Sequence, residues 1–219
     1  MIRVISHTLI AMSTVTPPPL AGTRSQDERP RPSLTPDDWI KSAIVQLTDR
    51  GIDSVRVDVL AKSLGVTRGS FYWHFKDRDD LLRSVLNAWR DAATEQIIVR
   101  FERKHADPRL LLKELISLPF RGRSAQRAAR VELAIRAWAR RGAVARQAVD
   151  EVDERRISYH AQLFSSLGFD IPEARARAFA LYAYEVAESI LSNQGSAAQK
   201  TERCELVERL VLMPLPEAP

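Results

Sequence analysis

Apolar residues recur along the chain at the spacing of an α-helix. The first stripe that is bounded by clear helix signals consists of Ile40, Ala43, Ile44 and Leu47. It follows a start at Thr35-Pro36-Asp37-Asp38, and Gly51 closes it. Threonine is a good N-cap, proline suits the first helical position, and acidic residues complement the positive end of the helix dipole. The pattern therefore predicts a helix between Thr35 and Gly51.

Long stretches without glycine or proline make up most of the remaining chain. They span residues 79–107, 123–141, 143–167, 173–194 and 196–213. Each is rich in Ala, Leu, Arg and Glu, which favour helices. Alternation of β-branched residues over strand-length windows is absent. The pattern predicts an all-α fold of about nine helices without a sheet.

Composition divides the chain into four segments. Residues 1–33 contain five of the twelve prolines without any periodicity, and they are predicted to form a disordered N-terminal arm. Residues 34–80 are predicted to form a small three-helix domain, which extends to about residue 93 with the start of a linking helix. Residues 81–213 are predicted to form a larger helical domain. Residues 214–219 include three prolines and are predicted to be a flexible tail.

Residues 57–75, VDVLAKSLGVTRGSFYWHF, fit two short helices joined by a tight turn. Gly65 can adopt the positive φ that such a turn requires, and Thr67 suits the N-cap of the second helix. Phe71 and Phe75, four residues apart, are expected to anchor that helix inward. This is the geometry of a helix-turn-helix, whose second helix enters the major groove of DNA.

The outward face of the second helix carries groups that suit DNA. Arginine can read guanine through two hydrogen bonds, while hydroxyl, imidazole and ammonium donors suit phosphates. An aromatic run such as FYWHF is often core, but four consecutive aromatic or histidine residues cannot all face one side of a helix. The predicted DNA-binding residues are Lys62, Thr67, Arg68, Gly69, Ser70, Tyr72, Trp73, His74, Lys76 and Arg78.

The stretch from Thr35 to about Leu86 resembles the DNA-binding domain of the tetracycline-repressor (TetR) family. The resemblance rests on VDVLAKSLGVTRGSFYWHFKDRDDLL, with its L-A-x-x-L-G-V step, its F-Y-x-H-F run and the K-x-R-x-x-L-L that follows. It implies phosphate contacts from Tyr72, His74 and Arg78, and positions close to the bases for Arg68, Gly69 and Trp73. Asp58 departs from the pattern, because the family often places a donor to DNA there. It is expected either to cap its helix or to accept from a cytosine amino group.

Residues 173–194 form a helix that is apolar on two sides, which indicates burial on both. We expect one side to pack within the subunit and a stripe of small residues to admit a second subunit. The last helix offers a matching apolar face, and two such helices per subunit would form a four-helix bundle in a homodimer. The alternative is an ordinary monomer core. The predicted dimer-interface residues are Ala176, Ala180, Ala183, Ala187, Leu206 and Leu210.

The family resemblance also implies a pocket for a small-molecule effector among the middle helices. The candidate pocket residues are Phe101, Trp138, Tyr159, His160, Phe164 and Tyr182, each of which could equally be plain core. Glu185 lies in an otherwise apolar helix and is a surface residue, an intersubunit partner or a polar anchor for a ligand. Residues 121–146 hold eight arginines against one acid, Glu132. They either pair with the acidic residues that follow or receive an acidic ligand or the DNA backbone.

Composition excludes several classes of protein. The 219-residue chain has a formal net charge of +5, yet residues 34–80 sum to −1 while residues 62–78 sum to +3. Positive charge that is local in this way argues against a non-specific or architectural DNA-binding protein. Cys204 is the single cysteine, which excludes an intrachain disulfide and suits a reducing cytoplasm. No apolar run approaches the ~18 residues of a membrane helix, so no membrane partner is expected.

Motifs of enzymes and metal sites are absent from the sequence. It contains no H-E-x-x-H, no G-x-S-x-G and no phosphate-binding glycine loop, and its four histidines are scattered. We therefore expect no enzyme activity, no cofactor and no metal. The sequence predicts a cytoplasmic, ligand-responsive, dimeric regulator of transcription that a small molecule releases as a repressor from a palindromic operator in double-stranded DNA. A transcriptional activator and a non-specific or architectural DNA-binding protein are the alternatives.

Overall fold

A computed structural model of the protein describes residues 34–120 and 122–214. The predicted arm over residues 1–33 and the predicted tail beyond Pro214 lie outside this range. The described residues form nine helices and no strand, as the sequence predicts. The helices are α1 (Pro36–Arg50), α2 (Val57–Leu64), α3 (Arg68–Phe71), α4 (Arg78–Arg90, continued by Asp91–Glu95 and Gln96–Lys104), α5 (Pro108–Ser117), α6 (Gly122–Ala139), α7 (Ala143–Ser166), α8 (Ile171–Ile190) and α9 (Ala197–Leu212).

The helix starts follow local chemistry. At α1, the backbone amide and the hydroxyl of Thr35 both donate to the Asp38 carboxylate, at 2.8 and 2.7 Å. Asp77 accepts from the amide of Asp80 at the start of α4, and Asp170 accepts from the amide of Glu173 at the start of α8. Such bonds satisfy amides that the helix itself leaves free, so short polar residues determine where these helices begin.

The linking helix α4 contains a feature that the sequence does not predict. Residues Asp91–Glu95 form a π-helical turn between two α-helical parts. Wider turns of this kind occur mostly as single interruptions inside α-helices, often at functional sites. The turn separates the part of α4 that packs on α1 from the part that packs on α5.

Two clusters of buried apolar residues hold the helices together. The first joins α1, α2, α3 and the beginning of α4 to Ile135 and Trp138 of α6 and Val149 of α7. The second joins the end of α4 to α5, α7, α8 and α9, around Phe101 and Phe164. The first cluster contains residues from both sides of the predicted boundary between residues 80 and 81, and that boundary stays a prediction.

None of the helices in the described part of the chain is both long enough and apolar enough to cross a membrane.

Candidate nucleic-acid interface and internal cavity

The turn between α2 and α3 has the conformation that its sequence requires. Gly65 ends α2 with φ 69° and ψ 30°, which lies in the left-handed region. The amide of Val66 donates to the carbonyl of Ala61 at 3.0 Å, and Thr67 precedes α3 in an extended conformation. Because only glycine adopts this φ without strain, Gly65 determines the angle at which α3 leaves α2.

An aromatic cluster fixes α3 from its inner side. Phe71 is 0% exposed and Phe75 is 5% exposed, as the sequence predicts. The Phe71 ring meets Trp39 edge-on, with centroids 5.3 Å apart, and stacks on Phe75 at 5.5 Å. Ring pairs at these separations add to the free energy of apolar burial. The orientation of this four-residue helix is therefore set by the buried aromatic side chains on its inner side.

The remaining aromatic residues of this run lie on the outside. Trp73 is 87% exposed and Tyr72 is 56% exposed. Of the ten predicted DNA-binding residues, seven are exposed, namely Lys62, Thr67, Arg68, Gly69, Tyr72, Trp73 and Lys76. Ser70, His74 and Arg78 are partly buried. The fold thus brings the predicted set onto one short segment, with two large aromatic side chains presented to the outside.

Gly69 is not required by packing within the described residues. A Cβ built there would have Thr67 Oγ1 as its nearest neighbour, at 3.7 Å, which is ordinary van der Waals contact. The backbone at residue 69 is helical, so a side chain would cause no strain. A glycine at this position therefore has no explanation in the fold itself.

Arg78 serves the fold in a way that the sequence does not reveal. Its Nε donates to the carbonyl of Val55 at 2.5 Å, and its Nη2 donates to the carbonyl of Ile52 at 2.8 Å. These bonds tie the first turn of α4 to the loop that precedes α2. Two of its donors are therefore used inside the protein, and a phosphate contact from Arg78 stays a prediction.

Asp58 forms a contact that neither expectation described. Arg56 donates to both of its carboxylate oxygens, at 3.2 Å from Nε and 3.0 Å from Nη2. The N-cap of α2 is Arg56, and no side chain caps that helix end. The expected capping role of Asp58 is therefore wrong, because its carboxylate pairs with the neighbouring guanidinium instead.

An apolar face on α8 and α9 is open in the single chain. All six predicted interface residues are exposed, including Leu206 at 46% and Leu210 at 54%. Phe179 is 65% exposed and Ile190 is 58% exposed, so both belong to this face. Phe179 lies four residues before Ala183, and positions four apart share one face of a helix.

A cavity of about 380 Å³ lies between α4, α5, α6, α7 and α8. Three of the six candidate pocket residues, Tyr159, His160 and Tyr182, line it. Phe101, Trp138 and Phe164 do not: Phe101 and Phe164 pack in the second core cluster, and Trp138 packs in the first. Large aromatic side chains at helical spacing serve core and cavity equally well, so spacing could not separate these cases.

A partly buried network of charges reaches one wall of the cavity through Glu132 and Arg156. Glu132 of α6 accepts from Arg136 at 2.9 Å and from Arg156 of α7 at 3.1 Å. Asp153 accepts from Arg136 and from the Tyr182 hydroxyl, both at 2.5 Å. Burial alone would raise the pKa of Glu132, but the two guanidinium groups more than offset it and the pKa lies below its ordinary value. The network ties α6, α7 and α8 together with balanced charge.

Glu185 lines the same cavity without such partners. Its Oε1 is buried and has no hydrogen-bond partner among the described residues, and the closest ring nitrogen, Nε2 of His160, is 3.7 Å away. Burial raises the pKa of Glu185 to about 8, against the attraction of Arg156. Burial, followed by the repulsion of Arg156, lowers the pKa of His160 to about 4. Both groups are therefore mostly neutral at pH 7.

The sequence comparisons match the N-terminal part of the chain. Residues 40–85 match the family described as bacterial regulatory proteins, tetR family. The regulator AcrR of Shigella flexneri is 31% identical over 77 residues, which is 34% of this chain and 34% of AcrR. The repressor Rv1353c of Mycobacterium tuberculosis is 36% identical over 73 residues, which is 33% of this chain and 26% of that protein. The matches thus span about a third of the relatives' length or less.

Solved structures match almost the whole described chain. A transcriptional regulator from Rhodococcus sp. Rha1 superimposes with a TM-score of 0.66 at 19% identity, covering 84% of this chain and 100% of that chain. The regulator FadR of Bacillus subtilis, in complex with stearoyl-CoA, gives a TM-score of 0.60 at 18% identity, with 83% and 100% covered. At this identity they establish the fold. Residues 40–85 thus match the tetR family of bacterial regulatory proteins, and the described chain shares its fold with solved structures of transcriptional regulators.

Proposed function

We propose that the protein is a dimeric, ligand-responsive repressor that binds a palindromic operator in double-stranded DNA. The observation that carries the proposal is the exposed pair Tyr72 and Trp73, which lies in the turn after α3 between the core residues Phe71 and Phe75. Large aromatic side chains are costly to leave in water, and an exposed apolar patch marks an interaction site.

The chemistry of this surface suits the major groove. Arg68, at the start of α3, is exposed and is the candidate to read a guanine edge. Gly69, which packing does not require, lets the backbone approach the bases. Tyr72 and Lys76 offer a hydroxyl and an ammonium donor for phosphates. Because the buried rings of Phe71 and Phe75 anchor this segment, the relative positions of these groups are set before DNA binds.

The open face of α8 and α9 supports a homodimer. Alanines at positions 176, 180, 183 and 187 leave room for close approach of a second copy, while Phe179 and Leu210 supply large apolar surfaces. A two-fold axis through this face would pair two reading helices, which then fit half-sites one turn of DNA apart. Dimerisation thereby explains why such a face is exposed in the single chain.

The cavity and the linking helix α4 connect ligand binding to release of the protein from DNA. Trp89, Ala93 and Thr94 of α4 line the cavity, and Arg78 at the start of α4 holds the loop before α2. A ligand that prefers a different position of α4 would move the reading helix and weaken operator binding, and DNA would weaken that ligand by the same factor. Repression is supported by the name of the relative Rv1353c, and stearoyl-CoA bound to FadR supports a small-molecule effector.

Selection of binding sites from random duplex DNA tests this proposal. We expect the purified protein to enrich a palindrome with two half-sites at near-physiological salt. Arg68→Ala should lose about 1–3 kcal/mol of DNA-binding free energy, at one base position of the site. Arg103→Ala, an exposed change near the far end of α4, is the control and should bind as the native protein does. Enrichment of no sequence, with affinity governed by salt alone, would instead identify a non-specific DNA-binding protein. Reporter transcription from the selected site then separates repression from activation.

A further inference from the structure

The cavity holds buried polar atoms that the protein leaves unused. Thr94 is 3% exposed and His160 is 2% exposed, and both line the cavity. Thr94 Oγ1, His160 Nδ1 and Glu185 Oε1 are buried without a hydrogen-bond partner in the described part of the chain. Buried polar groups are nearly always paired, because an unpaired one costs about 1–3 kcal/mol. Several such atoms around one cavity indicate that a bound molecule completes them.

Apart from the charged network around Glu132 and Arg156 and a few hydroxyl groups, most of the wall is apolar. Trp89 and Ala93 form part of the α4 side, and the aliphatic lining includes Ile97, Ile98, Leu115, Leu118, Val131 and Val186. A site with a few convergent polar groups in an apolar wall selects a ligand with an apolar body and one polar head. The polar head is expected beside Glu185, where the unused atoms of α7 and α8 meet.

The balance of charge around Glu185 indicates the sign of that head. Arg136 and Arg156 are matched by Glu132 and Asp153, which they contact directly. From α7, His160 faces Glu185 in its neutral form at pH 7. The carboxyl of Glu185 is therefore the one acidic group of this cluster that lacks a cationic contact, and a positively charged ligand can supply that contact.

An anionic head fits less well, because both terminal nitrogens of the partly buried Arg156 already donate to acceptors of the protein. Arg156 donates through Nη1 to Glu132 and to the Tyr182 hydroxyl, and through Nη2 to Glu132 and to the carbonyl of Ala93. The other arginine of the lining, Arg127, has an exposed side chain. An acidic ligand would compete with these bonds and would place its charge near Glu132.

We propose that the effector has a compact apolar body and one protonated amine, and that the carboxylate of Glu185 binds this ammonium group. The inference rests on the proposed function of the cavity as an effector site. The ammonium donates to Glu185, and the proton that the neutral carboxyl held leaves to the solvent. Binding at pH 7 is therefore coupled to the release of close to one proton, since Glu185 has a pKa of about 8 without a cation.

Three probes with one body and different heads test the charge preference. They are 4-phenylbutylamine, 4-phenylbutan-1-ol and 4-phenylbutyrate, titrated into the dimeric full-length protein without DNA by calorimetry at pH 7. We expect the amine to bind more tightly than the alcohol, and the alcohol more tightly than the acid. Repeating the amine titration in phosphate and in Tris, whose ionisation enthalpies differ, should show proton release.

Glu185→Gln keeps the shape of the side chain and removes its charge. We expect this change to weaken the affinity for the amine by about tenfold to hundredfold and to change the affinity for the alcohol by less than about threefold. It should also abolish proton release. Glu154→Gln, an exposed change on α7, is the matched control and should alter none of these values. Retained binding of the alcohol shows that the variant is folded, and the native protein's proton release provides a second readout.

The proposal is overturned if 4-phenylbutyrate binds most tightly, if the three probes bind alike, if none binds, or if the amine binds without proton release. Each of these results leaves the DNA-site selection unaffected, because that experiment contains no amine. Failure of the effector class and failure of the regulator function are thus told apart.

Discussion

Removing the charge of Glu132 should destabilise the protein far more than removing the charge of an exposed glutamate. Glu132 contacts two guanidinium groups, at 2.9 Å for Arg136 and 3.1 Å for Arg156, and its side chain is 18% exposed. In Glu132→Gln, Asp153 still pairs with Arg136. Arg156, at 17% exposed, keeps only neutral acceptors such as the Ala93 carbonyl and the Tyr182 hydroxyl.

The magnitude follows from that unmatched charge. Breaking a buried ion pair by removing one partner costs about 3–5 kcal/mol, and the residual exposure of these side chains favours the lower end, about 3 kcal/mol. Glu95→Gln is the matched control, because Glu95 pairs with Arg155 at 3.0 Å with both side chains nearly half exposed. An exposed pair contributes about 0–1 kcal/mol.

Urea unfolding at pH 7, followed by circular dichroism, measures both free energies of unfolding. All variants are compared at several matched protein concentrations, because association shifts apparent stability. The pKa of Glu132 lies below its ordinary value of 4.5, so its contribution is present above that pH and is lost as the pH falls through the folded-state pKa. The difference between native protein and Glu132→Gln should shrink accordingly in acid. Equal losses for Glu132→Gln and Glu95→Gln at pH 7 would refute the reasoning.

Three further changes separate the roles of individual residues. The raised pKa of Glu185 means that the folded protein holds a proton that the unfolded chain releases between pH 4.5 and about 8, so stability falls as pH rises through this window. The free energy of unfolding of Glu185→Gln, relative to that of the native protein, should therefore be higher at pH 8 than at pH 5 by up to a few kcal/mol. A relative stability that is the same at both pH values would contradict the burial of this carboxyl. Ala180→Glu, on the open face of α8, should convert the dimer to monomer in sedimentation velocity, and a variant that still sediments as a dimer would exclude this face as the interface. Gly65→Ala should lose about 1–2 kcal/mol in urea unfolding because φ is 69° there, whereas Gly69→Ala, in helical backbone with room for a Cβ, should be neutral or gain up to about 1 kcal/mol; similar losses at the two glycines would show that backbone strain is not the cause.

The sequence by itself determined the features that depend on neighbours along the chain. Thr35, Gly65 and the pair Phe71 and Phe75 act within a few residues of themselves, through a cap, a left-handed turn and a helical spacing of four. Local interactions of this kind are encoded in short stretches, so the helix starts, the tight turn and the exposure of Trp73 could be predicted. The same locality explains why a segment of 46 residues carries the family match.

Tertiary structure alone decided the features that depend on residues far apart in the chain. Arg78 reaches carbonyls more than twenty positions earlier, and Glu132 meets Arg156 at a separation of 24 residues. The aromatic residues of the second half split between core and cavity according to which helix covers them, so Phe101 and Phe164 could not be told from Tyr159 by spacing. Glu185 stood out in the sequence as a polar residue among apolar ones, but only the packing of α6, α7 and α8 showed that its carboxyl is buried, faces a cavity and has one oxygen without a hydrogen-bond partner among the described residues. A pattern along one helix shows which face is apolar, whereas the partner of a buried charge depends on which helices meet there.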